Sequence, residues 1–501
     1  MAKVLHFRYI FYPFLALLFG LTMASRLFAG NITTIVCVLL TFCALATGLF
    51  LFGKWNALVI IMAFFLLGNG GYFLAAHFQH AKVYKGECAV VARVTDNFTV
   101  YGDELRIVLD DVKINGQSAK NIYLTLNCDE SDIKAGDKLT FAANLQNADF
   151  ITTGYNNFYL RNHIGYMATC SLENIIIISS HLKFDESFRM SVKNLLYQNM
   201  SEENASISYA VLFGDKSGID YATKEIFRNA GVIHILTVSG LHVGFLVAFV
   251  CFLLSLIRIK RVYTTIISAI FLIFFNILCG FAPSVFRASV MAMVIMCARA
   301  SARPYDKLNS LGLAGFIILA VNPLYALDIG FLMSFGCVAV IFLLFPPLSN
   351  LLKKIMHPRI AEGISISICA EIGILPFMAS MGMKFNILSF FANLLIVPIF
   401  SVLYPFLFVI SVVSLLIPFL AKSLILVDFG FTAIKAVASF FASTGAVIAL
   451  KPFSLPVSIL IFITIFLLSH IVMVKKEYKF VGISLLCLAL SVTTGLMMAP
   501  L

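Results

Sequence analysis

The feature that most constrains this chain is a set of long runs without a single charged side chain. They cover residues 9–25, 27–53 and 55–81, then 229–257, 262–286, 308–327, 329–352, 385–421, 452–474 and 480–501. A helix needs about 20 apolar residues to cross the hydrocarbon of a bilayer, because its backbone must satisfy its own hydrogen bonds there. Composition agrees: 60% of residues are hydrophobic, 12% are charged, and 49 are phenylalanine against one tryptophan. A mean hydropathy of +0.97 excludes an ordinary soluble, fibrous or disordered chain. The expected fold is a polytopic α-helical membrane protein of about 11 transmembrane or re-entrant helices.

The net charge is +11, yet residues 80–185 hold thirteen acidic side chains against ten basic ones. The whole cationic excess therefore lies in and beside the apolar segments, where Lys and Arg mark cytoplasmic loops. Clusters at Arg258, Lys260 and Arg261, at Arg299, Arg303 and Lys307, at Lys353, Lys354 and Arg359, and at Lys475, Lys476 and Lys479 fit that rule. Lys3 and Arg8, with no acid before Glu87, place the N-terminus in the cytoplasm, although Arg26 opposes the bias. Residues 1–81 then form three transmembrane helices, the first an uncleaved anchor, and residue 82 emerges outside.

Residues 82–185 read differently. CAVVARV, LRIVLDDVKI, NIYLTLNC and KLTFAANL alternate apolar and polar with period two, and NG at 115–116 marks a turn. This predicts a small all-β, OB-like extracytoplasmic domain. Its acidic balance favours a cap on a channel mouth over a strand-binding groove. Eleven cysteines lie along the chain without CxxC pairs. Three fall in the exported domain, and Cys128 with Cys170 is the expected bridge. Residues 186–200 place Phe188, Val192, Leu195 and Leu196 on one helical face, predicting an amphipathic helix on the outer membrane surface.

Residues 201–501 form the expected membrane core. GLFLFGK at 48–54 imitates a phosphate-binding loop, but Trp55 replaces the required hydroxyl residue and the stretch lies within a span. His77 and His80 have helical spacing without further ligands, so neither a metal nor a cofactor is expected. The unusual segment is residues 211–244, where polar residues interrupt apolar sequence. IDYATKEIFRNAG at 219–231 predicts a short glycine-capped helix, and VIHILTVSG at 232–240 is too short to cross. A segment that dips in and turns back must line a cavity or be buried in protein. His234 and His242 lie about 80° apart if one helix holds both. Ser239 near His242 also admits a membrane-embedded hydrolase, though no orienting carboxylate stands nearby.

FRNAGVIHILTVSGLHVG at 227–244 resembles the signature of the ComEC family of competence proteins. GFAPSVFRASVMA at 280–292, ARP at 302–304, NPLYALDIGFLMSF at 322–335 and ILPFMASMGMKFNILSFFANLLIVP at 374–398 are similar to that family's membrane core, in its order. GYNNFYLRNHIGYMATC at 154–170 is similar to its N-terminal region. The resemblance implies an inner-membrane channel, not itself an enzyme, that admits single-stranded DNA during natural transformation. It implies a separate DNA receptor and a cytoplasmic helicase-like motor as partners. The metallo-β-lactamase-like domain of many members, marked by HxHxDH, has no counterpart in residues 1–501, so any nuclease is expected to be a separate protein or absent. A transporter of another anionic or envelope-related substrate is the alternative.

Pore candidates are His234, Ser239, His242, Arg287, Glu371 and Asn393. Arg287 is either a phosphate contact or half of an ion pair with Glu371 or Asp328. Pro376 should kink the helix that carries Glu371, and Asn393 serves either the pore or helix packing. Asp215, Lys216, Glu225 and Arg228 form a vestibule, pair with one another, or make a solvated face. Asp428, Thr432, Lys435 and Ser439 mark a polar stripe, read as a water-facing or surface-lying helix.

Overall fold

The computed structural model describes residues 10–28, 55–79, 84–148 with short breaks, 164–171, 175–178 and 184–449 apart from 217, 302–305 and 381–383. The expected spans at 452–474 and 480–501, and that at 27–53 beyond Phe28, lie outside the described residues. So do Cys128, and with it the proposed bridge to Cys170.

Helices α1 (Phe11–Phe28) and α2 (Trp55–Gln79) pack through glycines. A methyl group on Gly20 would stand 2.2 Å from the Phe65 carbonyl, and one on Gly68 would stand 2.4 Å from that of Leu17. Only glycine allows these backbones so close, which is the usual means of packing helices in lipid.

The polar region is a sheet of eight strands: β1 (Glu87–Tyr101), β2 (Glu104–Ile114), β3 (Gln117–Ser118), β4 (Asn121–Asn127), β5 (Lys138–Asn144), β6 (Gln146–Asn147), β7 (Ile164–Ser171) and β8 (Ile175–Ile178). The order is β6-β7-β4-β2-β1-β5-β8, with β3 paired to β2. The β4–β7 pair is parallel and the other pairs are antiparallel. Long β1 serves both β2 and β5, and its register with β2 slips between Val91 and Arg93 and again between Val94 and Phe98. Such irregularities bend a strand, so β1 can belong to two curved halves. Val90, Ile107, Leu109, Ile114, Ile122, Leu124 and Leu139 fill the interior.

Helix α3 (Phe184–Asn199) buries Val192 and Leu196, two residues of its expected apolar face, in the same core as the helices that follow. Its first turn is tied to the sheet as well. Arg93 on β1 forms a two-pronged pair with Asp110, at 2.9 and 2.6 Å, and its Nη1 donates to Glu186 of α3 at 2.8 Å. Burial opposes the charge on Arg93, but the two carboxylates outweigh it and raise its pKa.

The remaining elements are α4 (Glu202–Phe213), α5 (Tyr221–Asn229), α6 (Gly240–Leu256), α7 (Arg261–Leu278), α8 (Pro283–Ala300), α9 (Lys307–Val321), α10 (Ile329–Leu352), α11 (Pro358–Ser380), β9 (Lys384–Asn386), α12 (Ser389–Ser414), α13 (Leu424–Ser443) and β10 (Val447–Ala449). Five stretches are long and apolar enough to cross a membrane: Arg261–Leu278, Ile329–Leu352, Pro358–Ala379, Ser389–Ser414 and Pro418–Ser443. Four shorter apolar helices accompany them among the described residues. The chain is a membrane protein.

The run 262–286 is not one helix. α7 stops at Leu278, Gly280 (φ +59°) and Phe281 (φ +51°) turn left-handed, and Pro283 opens α8, where its fixed φ suits a first helical turn. α11 escaped the search for charge-free runs because Arg359, Glu362 and Glu371 interrupt it. The Arg189 guanidinium of α3 donates to the Leu278 carbonyl at 3.4 Å, at the opposite end of α7 from the cationic turn 258–261.

The stripe on α13 also departs from expectation. Asp428 Oδ1 accepts from the Ser201 amide at 3.2 Å, from its hydroxyl at 2.6 Å and from Asn204 at 2.9 Å. Asn204 also reaches Thr432 at 2.9 Å, and Lys435 pairs with Glu203. The stripe therefore docks α4 on α13 rather than facing water alone. Such polar contacts hold helices together where apolar surface gains little by leaving lipid.

Candidate translocation site

The site is built around residues 230–242. Asp220 caps α5 by accepting the Thr223 amide at 2.9 Å. After α5, Gly231 turns at φ +75°, and a methyl group there would lie 2.4 Å from Cβ of Ser389. A single 3-10 turn, Ile233–Leu236, follows, then extended Thr237–Ser239, and α6 begins at Gly240. The expected broken segment is present, but one helix does not carry both histidines. His234 is exposed on the 3-10 turn and His242 is buried one turn into α6.

Ser239 and His242 close a capping box at the start of α6. The Ser239 amide donates to His242 Nδ1 at 3.2 Å, and its hydroxyl oxygen lies 2.8 Å from the same nitrogen. Because Nδ1 accepts from the amide, the ring hydrogen belongs on Nε2. Nε2 is buried without a hydrogen-bond partner among the described residues, between Phe400 and Tyr404, whose ring centroids lie 4.9 and 4.6 Å from that of His242. The serine thus serves the helix end, and among the described residues no carboxylate orients the imidazole as a hydrolase would need.

Arg287 sits on the first turns of α8, beside that cap. A methyl group at position 240 would meet Arg287 Nη2 at 2.8 Å and Ala288 Cβ at 3.3 Å, so the guanidinium would have to shift to admit one. Ser284 Oγ donates to the Val238 carbonyl at 3.1 Å and fixes α8 against the extended stretch. Arg287 is 5% exposed, and its guanidinium lies 5.7 Å from the ring centroid of Phe335 and approaches Met291 Sδ at 4.0 Å. Its Nε has no hydrogen-bond partner, and none of the ion pairs among the described residues includes it. The pairing with Glu371 or Asp328 is not what the fold makes: Glu371 accepts from Ser389 Oγ, and Asp328 caps α10 through the Phe331 amide at 2.9 Å.

Glu371, bonded to Ser389, thus stands at the beginning of the segment beside Gly231, while Arg287, Ser239 and His242 stand at its end; Asn393 lies one helical turn beyond Ser389 on α12. Asn393 Oδ1 is buried without a partner. Of the vestibule residues, Glu225 pairs with Arg228. Burial lowers the pKa of Lys216, and nearby Lys224 and Arg228 add to the effect. The turn that holds Asp215 and Lys216 reaches the same segment, for a methyl group on Gly214 would touch Val238 at 3.7 Å. Sequence reasoning missed Asn386. Its side chain donates to the Asn229 carbonyl at 2.6 Å and to that of Phe441 at 3.3 Å, while its oxygen accepts the Leu388 amide at 2.7 Å. Only its place inside an apolar block hinted at that knot.

A helical membrane protein with a buried cation beside a broken segment is the class that fold and site define. The chain belongs to the competence protein family: the family described as Competence protein matches residues 211–475, from the end of α4 to beyond α13. It is 27% identical over 248 residues to ComE operon protein 3 of Bacillus subtilis (strain 168), a match spanning 49% of this chain and 31% of that protein. It is 28% identical over 260 residues to an uncharacterized protein of Aquifex aeolicus (strain VF5), covering 51% and 57%. With Recombination protein 2 of Haemophilus influenzae (strain ATCC 51907 / DSM 11121 / KW20 / Rd) it shares 24% over 209 residues, covering 39% and 26%. The chain covers less than two thirds of each of these relatives. No solved structure matches.

Proposed function

We propose that this protein is an inner-membrane channel that takes up single-stranded DNA during natural transformation, acting as a conduit rather than as an enzyme. The observation that carries the reading is Arg287, a buried guanidinium with no acid beside it among the described residues. A cation held in apolar surroundings at such cost is kept for an anion that arrives, and a strand supplies phosphates. His234, Ser239 and His242 share that pathway, with Glu371 and Asn393 at its other end and Asp215, Lys216, Glu225 and Arg228 at its approach.

In this reading residues 1–81 anchor the chain, 82–185 form an OB-like domain outside, and 201–501 form the channel. The parallel β4–β7 pair and the bent β1 shared by β2 and β5 support the OB-like assignment. A DNA receptor delivers the strand, and a cytoplasmic helicase-like motor pulls it.

The acidic balance of residues 80–185 favours a second reading, transport of another anionic substrate, because that domain attracts no polyanion by charge. Deleting the gene and measuring uptake of labelled single strands decides between them. Lost uptake supports the first reading. Normal uptake with an envelope or metabolite defect supports the second.

A further inference from the structure

Helix α12 carries a line of polar atoms that find no hydrogen-bond partner among the described residues. Asn393 Oδ1, Tyr404 Oη, Ser411 Oγ and Ser414 Oγ are all buried without a hydrogen-bond partner among the described residues. Positions 393, 404 and 411 are separated by about three and two helical turns, so the three share one face, and 414 follows a turn later. His242 Nε2, also unpartnered, packs against the Tyr404 ring. This face is the one that α12 turns into the core, where Tyr404 is 0% exposed and Ser411 and Ser414 are each 1% exposed.

A buried polar group without a partner costs as much as the bond it fails to make, and a row of them multiplies that cost. An apolar residue at each position would avoid it, and α12 has such residues on its other faces. Water does not reach these atoms in this conformation. The cost is recovered only if α12 also visits a state in which its buried face is wet. The helix has the means to move: Pro398 and Pro405 lie inside it, each removing a backbone hydrogen bond and loosening the turn before it.

We infer that the buried face of α12, from Asn393 through Tyr404 to Ser414, is the wall of a water-filled passage that is closed in this structure. Opening separates α12 from α6, hydrates the four polar groups and His242 Nε2, and gives a strand a surface it can slide along by exchanging hydrogen bonds with water. The inference deepens the conduit reading above and rests on it for the identity of the cargo, but not for the existence of the passage.

Silver ion, which travels only through water and binds thiols tightly, tests this without DNA. In a cysteine-free full chain in native membranes, single cysteines replace Ser411, Ser414 and, as a fully buried control on α9, Ala314. Blocking by silver is then read as lost maleimide labelling after denaturation. Ser411→Cys and Ser414→Cys should be blocked at least tenfold faster than Ala314→Cys, and equal slow blocking at all three overturns the passage. Tyr404→Phe provides a second arm that keeps the ring. It should raise the melting temperature of the closed protein, whereas a lowered one means the hydroxyl is already bonded and overturns the inference. Silver access together with normal DNA uptake in a deletion strain would leave the passage standing and remove DNA as its cargo.

Discussion

Gly240 and Arg287 fit each other: the first residue of α6 lacks a side chain where the guanidinium of α8 lies, and a methyl group there would stand 2.8 Å from Nη2. Gly240→Ala should therefore displace Arg287, at a cost of about 1 kcal/mol, the low end for overpacking, because the atom met is the tip of a flexible side chain. Thermal melting in detergent checks this, with Gly244→Ala as the comparison, since a methyl group at Gly244 meets nothing within 4 Å. Equal melting temperatures for the two variants would refute the fit.

Arg287 itself separates a cargo contact from a structural one. Arg287→Ala should lower DNA uptake by tenfold or more while membrane abundance stays near normal, because no buried carboxylate is left behind. Arg287→Lys should retain part of the uptake, since a point charge still attracts phosphate but loses the planar fork. Uptake and abundance measured on the same cells provide the check, and wild-type uptake in Arg287→Ala removes the residue from the pathway.

The link between sheet and helices is open to a direct test. Arg93 and Glu186 have side chains 8% and 7% exposed. Glu186→Ala strips one partner from a buried pair, which typically costs about 3–5 kcal/mol. Asp110 remains to hold Arg93, so the loss should fall at the low end of that range. Limited proteolysis between residues 178 and 184 should become faster in this variant, and an unchanged rate counts against the link.

Acid should loosen α4 from α13. Lys435 and Thr223 hold Glu203 below the ordinary glutamate value of 4.5 by hydrogen bonding, against a smaller opposing effect of burial. Its folded pKa is depressed, so this stabilisation is fully present above pH 4.5 and is lost as pH falls through the folded value. Both partners are partly exposed, which keeps the contribution near or below about 1 kcal/mol. Melting curves at neutral and acid pH should converge for Glu203→Gln and the parent as pH drops, and a constant gap between them would contradict the assignment.

Sidedness provides a fifth check. Residues 82–185 are expected outside and the turns at 258–261, 299–307 and 353–359 inside. A cysteine replacing exposed Lys113 should react with an impermeant maleimide added to intact cells. Reaction only after the cytoplasmic side is opened inverts the topology.

Much of this architecture is legible in the sequence because lipid is a demanding solvent. Charge-free runs locate α9, α10 and α12, period-two alternation locates the sheet, and the glycine after Asn229 ends α5 where it was expected to. What escaped were partnerships across long separations. Asp428 looks water-facing until Ser201 and Asn204, more than two hundred residues earlier, are brought to it. Glu186 looks like a solvated first-turn acid until Arg93 arrives from the sheet. In the site, the polar residues could be named from their apolar surroundings, but not their geometry. The extended stretch Thr237–Ser239 breaks the helix that would have carried both histidines, and Asn386 revealed nothing of the three backbone groups it joins.

The Arg93 junction has a mechanical consequence. A tether of flexible residues would let the sheet swing free, and a strand tugging on it would only reorient it. Arg93 instead grips Asp110 and Glu186 at once, and one turn further along α3 Arg189 holds the Leu278 carbonyl. A pull on β1 is thereby passed to α3 and on to the end of α7. The sheet is a lever whose fulcrum is bolted to the membrane.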